Sequence, residues 1–319
     1  MGKKMFIVCT GCGKRHKLKS GKVPENLDRL RCKQCKGKVE LVKAGEEKGG
    51  LNFFDRELAL QQLPRQTVIT VTNQKGGVAK TTTCLNLGLS LVLLKKKVLL
   101  IDFDAQANLS LALGYRNRNS FFEMVDSGAD SFGDYIIPTR YAGLFILPSN
   151  VNMSLLNKRH FGKRFFEFLL RDRLNLLKDE FDYILIDTPP AIEFFTLNAL
   201  TASRMAIIPC PCEFLAADGV KKIQKLINLM HGKINPDLVF RVLITMYRKE
   251  EVASKLIYTK LRELYGDRML DTIIADDSKI KESQIVSLPA IAYDRKSMAG
   301  LQHVELAKEI VRLLPAGSN

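Results

Sequence analysis

The sequence predicts an α/β fold: a mainly parallel β-sheet flanked by helices, preceded by a small module rich in lysine and cysteine. Three observations carry this expectation. From Thr67 onward, short apolar, β-branched runs alternate with segments of helical periodicity. Those runs are apolar at nearly every residue, the pattern of strands buried on both faces. The first 43 residues are short of apolar side chains and hold four of the seven cysteines.

The predicted strands, in order, are "TVITVT" (67–72), "KVLLID" (97–102), "LFILP" (144–148), "YILID" (183–187), "MAIIPC" (205–210) and "VFRVLIT" (239–245). Helical patterns lie between them, among them "TTTCLNLGLSLVLLK" (81–95) and "GVKKIQKLINLMHG" (219–232). A last helix carries apolar residues at Leu301, Val304, Ala307, Val311 and Leu314, a stripe expected to pack on the core rather than on a membrane. The expected domains are 1–43, a 44–66 linker in which 51–66 reads as a short helix or as more tether, and 67–319. A chain of 319 residues with 46% apolar content can fill one large core. No run of roughly 18 uncharged apolar residues exists, so no transmembrane segment is expected. The start, "MGKKMFIVCTGCGK", reaches polar residues too soon for a signal peptide. A cytoplasmic location follows as the expectation, with reduced cysteines.

The net charge of +15 is uneven: residues 1–50 hold 14 Lys and Arg against 5 Asp and Glu. Such an excess suits a polyanionic partner, nucleic acid or membrane surface alike. Cys9-x-x-Cys12 and Cys32-x-x-Cys35 are separated by nineteen residues. Two such turns offer four thiolates at tetrahedral spacing, a closed structural Zn²⁺ site of the zinc-ribbon type, and a module this small needs such a staple to fold. His16 is an alternative ligand, though a solvent-facing role suits it better. Nothing in the pattern says whether the ribbon binds DNA, cargo or another copy of the chain.

"VITVTNQKGGVAKTTT" joins a strand, a glycine-bearing loop and a helix start, the setting a phosphate-binding loop requires. Gly76 and Gly77 let the backbone wrap phosphate oxygens, and amides from Val78 through Thr82 point at them from the helix N-terminus. Lys80 would reach the β- and γ-phosphates of ATP, and Thr81 would give its hydroxyl to Mg²⁺. Lys75, five residues before Lys80, is a second lysine that a simple phosphate loop does not need.

"KGGVAKTT" resembles the deviant Walker-A motif of the ParA/MinD (Soj-like) family of partition and positioning ATPases. "VLLIDFDAQANLS" (98–110), "YILIDTPPAIEFFTLNALTAS" (183–203), "PCPCEFLAADGVKKI" (209–223) and "NPDLVFRVLITMY" (235–247) are similar to that family's later motifs, in the same order. The resemblance spans nearly the whole chain from Thr67. It implies an ATPase, weak without its partner, whose Lys75 crosses an ATP-dependent homodimer interface to the other subunit's nucleotide. It implies that Asp104 orients the attacking water, with Asp102 the alternative, and that Asp187 holds Mg²⁺ through water. Base contacts fall near Met246, Ala275 and Asp276. Arg248, Lys249, Lys279 and Lys281 stand where DNA-binding members hold DNA nonspecifically, with a ParB-like or other stimulating adaptor as partner and a nucleoid-associated location. Three departures from the usual motifs are alanines: Ala79 and Ala107 where glycine is usual, and Ala105 where proline is usual. Two rival readings remain: a metal-insertion ATPase of the same superfamily, prompted by Cys210 and Cys212, and a zinc-dependent nucleic-acid binder that uses ATP only as a switch.

Overall fold

The computed structural model of the protein describes residues 66–316 except 130, 178, 179, 214 and 215, and N-terminal stretches at 5–9, 15–17, 30–31 and 38–43. In the N-terminal stretches three short strands, β1 (Met5–Cys9), β2 (Arg15–Lys17) and β3 (Val39–Lys43), form an antiparallel sheet in the order β2-β1-β3. Cys9 ends β1 opposite Val39, and a bridge joins Arg31 to Lys38 just before it. Cys12, Cys32 and Cys35, the Cys9 side chain and the 44–65 linker with its expected helix lie outside the described residues.

The large unit is built on eight strands. They are β4 (Thr67–Val71), β5 (Val98–Asp102), β6 (Ile137–Pro138), β7 (Leu144–Leu147), β8 (Tyr183–Asp187), β9 (Met205–Pro211), β10 (Val239–Tyr247) and β11 (Met269–Ala275). Their order is β11-β10-β9-β4-β8-β5-β7-β6, and every pairing is parallel except β6 with β7. The central strands β4, β5, β8 and β9 are buried at every residue, as their unbroken apolar runs predict. Two strands escaped the sequence pattern, and both are edges. β6 is two residues long and contains Pro138, and β11 interrupts its apolar run with exposed Asp271 and part-exposed Thr272.

Eleven α-helices among the described residues cover the sheet. These are α1 (Lys80–Leu93), α2 (Asn108–Ala112), α3 (Phe121–Asp126), α4 (Met153–His160), α5 (Leu169–Leu174) and α6 (Phe194–Ala202). The rest are α7 (Ala216–His231), α8 (Val252–Tyr265), α9 (Ser278–Ile285), α10 (Ala290–Tyr293) and α11 (Met298–Leu313). Because strand side chains alternate, Ile69, Leu100, Leu185, Ile207 and Leu243 face α1 and α11, whereas Val68, Leu99, Ile101 and Ile186 face α3 to α6. Ile208, Val242 and Ile244 continue that second face under α7 and α8. Each fully buried leucine or isoleucine contributes roughly 1.5–3 kcal/mol, so these two layers hold the sheet. The last helix does pack on the core, through Ala307, Val311 and Leu314 of the predicted stripe together with Ala299, Leu306 and Ile310; Leu301 of that stripe is exposed. Among the described residues no helix is long and apolar enough to cross a membrane.

Candidate nucleotide-binding site

The site lies at the carboxyl ends of the parallel strands, where the loop after the central strand β4 leads into α1. Two ties shape the loop. Asn73 is buried, donates through Nδ2 to the Pro209 carbonyl (2.8 Å) and accepts through Oδ1 from the Lys75 amide (3.0 Å). Gly219 of α7 sits so near that a Cβ there would collide with Asn73 Oδ1. Val78 is buried, and its carbonyl accepts from Thr245 Oγ1 at the end of β10 (3.3 Å). Gly77 takes φ +73°, and Ala79, the N-cap of α1, takes the left-handed φ of 70°.

The loop opens into a cleft of about 480 Å³ lined by Gly76, Gly77, Ala79, Lys80, Thr81, Thr82, Asp104, Gln106, Asn108, Thr188, Pro190, Met246 and Gln284. Lys80 is buried and its Nζ donates to the Lys75 carbonyl (3.0 Å). Burial holds its ammonium below the ordinary lysine value, while Asp187 and Asp104 push it back up. Thr81 Oγ1 donates to Asp187 Oδ2 (2.6 Å). Asp187 Oδ1 is buried with no hydrogen-bond partner. Burial, reinforced by Asp102 and Asp104, raises the Asp187 carboxyl well above the usual range. A buried carboxylate oxygen without a donor, beside a hydroxyl and two further carboxylates, suits a hard divalent cation, so these residues fit Mg²⁺.

Asp102 and Asp104 have different surroundings. Asp102 is fully buried, its Oδ2 accepts from both the amide and the hydroxyl of Ser110 (2.7 Å each), and burial lifts it to about 6. Asp104 is half-buried, raised by burial, and caps the Gln106 amide (3.0 Å) on the cleft wall. Lys75 does not turn toward its own loop; its Nζ meets Glu213 Oε2 at 2.6 Å, with the two side chains 37% and 57% exposed.

A second cleft, about 210 Å³, adjoins the first through shared walls at Ala79, Thr82, Met246 and Gln284. Met246, Ala275 and Asp276 all line it, together with Arg248, Lys281, Thr83 and His303. Met246 holds φ 51° where the pairing of β10 and β11 shifts register. The four basic positions differ. Arg248 is tied to Asp276 (2.7 Å) and Glu251 (2.9 Å), and Lys279 to Glu282 (2.8 Å), whereas Lys249 and Lys281 are exposed. Among the described residues no group of three or more His, Cys, Asp or Glu side chains is arranged to hold a metal; the side chains of the four cysteines expected to bind zinc lie outside them. Burial pushes the Cys210 thiol up to about 12 and the Cys212 thiol to about 11, so both stand protonated at neutral pH in this environment.

Sequence reasoning missed Asn73, Glu213, Gln284, Thr83 and His303. Each enters the site from a loop or helix whose local pattern is ordinary. The spacing of the Glu213 and Gly219 segment was the one signal present.

The profile of an AAA domain matches residues 66–240. The chromosome partitioning protein ParA of Caulobacter vibrioides is 31% identical over 250 residues, covering 76% of this chain and 93% of that protein. The sporulation initiation inhibitor protein Soj of Bacillus subtilis is 32% identical over 247 residues, covering 76% and 97%. The crystal structure called cobyrinic acid a,c-diamide synthase from Mycobacterium smegmatis, with bound ATP analogue and magnesium, superposes with a TM-score of 0.68 at 30% identity, covering 79% of this chain and 97% of that one.

Proposed function

The chain belongs to the ParA/MinD family of P-loop ATPases, and from that premise we propose that it is a partition or positioning ATPase whose ATP-clamped dimer binds DNA nonspecifically. A partner, a ParB-like or other adaptor, would stimulate hydrolysis and release the dimer from the nucleoid. The observation that carries this reading is the division of labour between two lysines on one loop. Lys80 is buried over the cleft, whereas Lys75 faces out, held only by an exposed ion pair to Glu213. A surface pair of that kind is worth about 1 kcal/mol or less, so Lys75 is free to exchange Glu213 for the more highly charged phosphates of a partner's nucleotide.

Within the cleft, Lys80 and the amides from Gly76 to Thr82 would bind the phosphates of ATP. Thr81 directly and Asp187 through water would hold Mg²⁺, which when bound would supply positive charge that offsets that of the phosphates. Asp104 would orient the attacking water. Asp102 is less suited, because it is fully buried and its Oδ2 already accepts two hydrogen bonds from Ser110. Met246, Ala275 and Asp276 would frame the base. Of the four basic positions proposed for DNA, Lys249 and Lys281 are the more available, since Arg248 and Lys279 are ion-paired. Phosphate contacts of this kind weaken steeply with salt. The domain boundaries near 43 and 66 and a structural Zn²⁺ on Cys9, Cys12, Cys32 and Cys35 belong to the same proposal. The antiparallel pairing that sets Cys9 beside the Arg31–Lys38 bridge supports the zinc reading.

DNA co-sedimentation with ADP, with ATP, and with ATP on Asp104→Ala and Lys75→Ala tests the reading. Retention that needs ATP, strengthens in Asp104→Ala and vanishes in Lys75→Ala is the expected result. Retention indifferent to nucleotide would assign DNA binding to the basic N-terminal module, and no retention under any condition would sink the DNA-based scheme.

A further inference from the structure

Two residues that line the smaller cleft each carry a buried polar atom with no partner: Thr83 Oγ1 on α1 and His303 Nε2 on α11. Both residues are 1% exposed. Orphans of this kind are rare in protein interiors and ask for a ligand or water. Thr83 is unusual for a second reason. A threonine inside a helix commonly bonds back to the carbonyl one turn earlier, sharing it with its own amide, but the Thr83 hydroxyl makes no such bond.

The protonation of His303 follows from its other nitrogen. Nδ1 lies 2.7 Å from the Ala299 carbonyl, which can only accept, so Nδ1 carries the hydrogen and Nε2 presents a bare lone pair. Burial holds the imidazole near 4, keeping it neutral at physiological pH. The residues lining the cleft thus hold one buried atom that accepts only and one buried hydroxyl that can donate. It opens onto the phosphate compartment through Thr82 and Met246.

Resting on the ATPase reading above, we infer that His303 is a base-specificity residue: its Nε2 accepts a hydrogen bond from the exocyclic amine of adenine, while Thr83 donates to a ring nitrogen. Adenine places an N–H donor next to a ring acceptor, the complement of this pair. Guanine seated in the same pose turns its O6 lone pairs toward those of Nε2 and leaves the histidine unpaired. Sites that hydrogen-bond a substrate group reject analogues lacking it far more strongly than apolar pockets do.

The test uses calorimetric titration of the full chain with ADP, with purine riboside 5′-diphosphate, which lacks only the amine, and with GDP. Diphosphates avoid turnover during the titration. The wild type should bind ADP about tenfold more tightly than the purine analogue, as one hydrogen bond to a buried group predicts. His303→Leu should erase that preference by weakening ADP alone, and His303→Gln, whose amide oxygen still accepts, should restore part of it. Thr83→Val should weaken both nucleotides, and melting curves for each variant check that it is folded. Equal wild-type affinity for ADP and the purine analogue would overturn the base assignment alone and hand the two orphan atoms to an ordered water. A preference unchanged in folded His303→Leu would overturn it too. Failure of the wild type to bind any of the three would overturn the nucleotide-binding reading itself.

Discussion

Ala79 and Ala107 stand where the family usually has glycine, and both adopt left-handed backbone, φ 70° and 55°. The structure thereby gives the two departures one physical meaning. Each alanine carries the Cβ–carbonyl crowding that glycine avoids, at the N-cap of α1 and of α2. Ala79→Gly should raise stability, by roughly 0.5–1 kcal/mol after the greater unfolded-state freedom of glycine is subtracted, as read by urea denaturation. No gain would mean that the loop relaxes around the methyl group. His303 supplies a pH signature at the same scale. Its folded value is near 4 and its ordinary value 6.5, so the unfolded chain protonates first as pH falls. The resulting loss of stability is absent above pH 6.5, grows between 6.5 and about 4, and levels off below. It amounts to about 3 kcal/mol at most. Buried Glu167, lifted by burial to about 7, opposes this trend over part of the window, so the quantity to measure is the difference between wild type and His303→Leu. A difference that does not vary with pH across that window would show that His303 is not held neutral.

At the scale of elements, the site depends on contacts that join distant segments. Glu309 of α11 is buried and its carboxylate accepts from the Asp271 amide (2.7 Å), the Thr272 amide (3.0 Å) and the Thr272 hydroxyl (2.6 Å). This caps the open side of edge strand β11, whose end carries Ala275 into the smaller cleft. Glu309→Ala should cost about 2–4 kcal/mol, because amides bonded to a charged group lose their partner, and it should weaken nucleotide binding as β11 loosens. A thermal melt within a degree of wild type would contradict it. Gly219 plays a comparable part on the other side of the loop. Its missing side chain leaves room for Asn73, which is fixed at both ends of its amide and cannot swing away without releasing the Lys75 amide or the Pro209 carbonyl. Gly219→Ala should leave the fold in place and lower nucleotide affinity several-fold; unchanged affinity would show that Asn73 does not shape the loop.

At the scale of the whole molecule, Asp102, Asp104 and Asp187 gather beside the phosphate loop, where burial and the charges of Asp102 and Asp104 raise Asp187 and Asp104 adds to the rise at Asp102. Such a cluster is more stable once cations from the ligand and from Lys80 are in place. Binding of Mg²⁺ with ATP should therefore raise the melting temperature more than either alone, and sedimentation should show a dimer only with both. Lys75→Ala should keep the melting behaviour of the monomer, since its exposed pair with Glu213 contributes little, yet abolish the dimer. A Lys75→Ala chain that still dimerises with ATP would remove the role in trans.

The sequence by itself determined the parallel core, because central strands that meet apolar neighbours on both faces must be apolar throughout. It also marked the phosphate loop, because glycine, lysine and threonine at those spacings follow from how backbone wraps a phosphate. Edge strands β6 and β11 were illegible, because one open side removes the demand for unbroken apolarity. Only the tertiary structure decided that Glu213 is the resting partner of Lys75, that α11 buries the face through Leu306 rather than Leu301, and that Thr83 and His303 share a cleft. Those pairings join residues 138 apart in the first case and more than 200 apart in the last. A local pattern reports the burial each segment needs, and the choice of which distant segment supplies it is made when the layers close around the sheet.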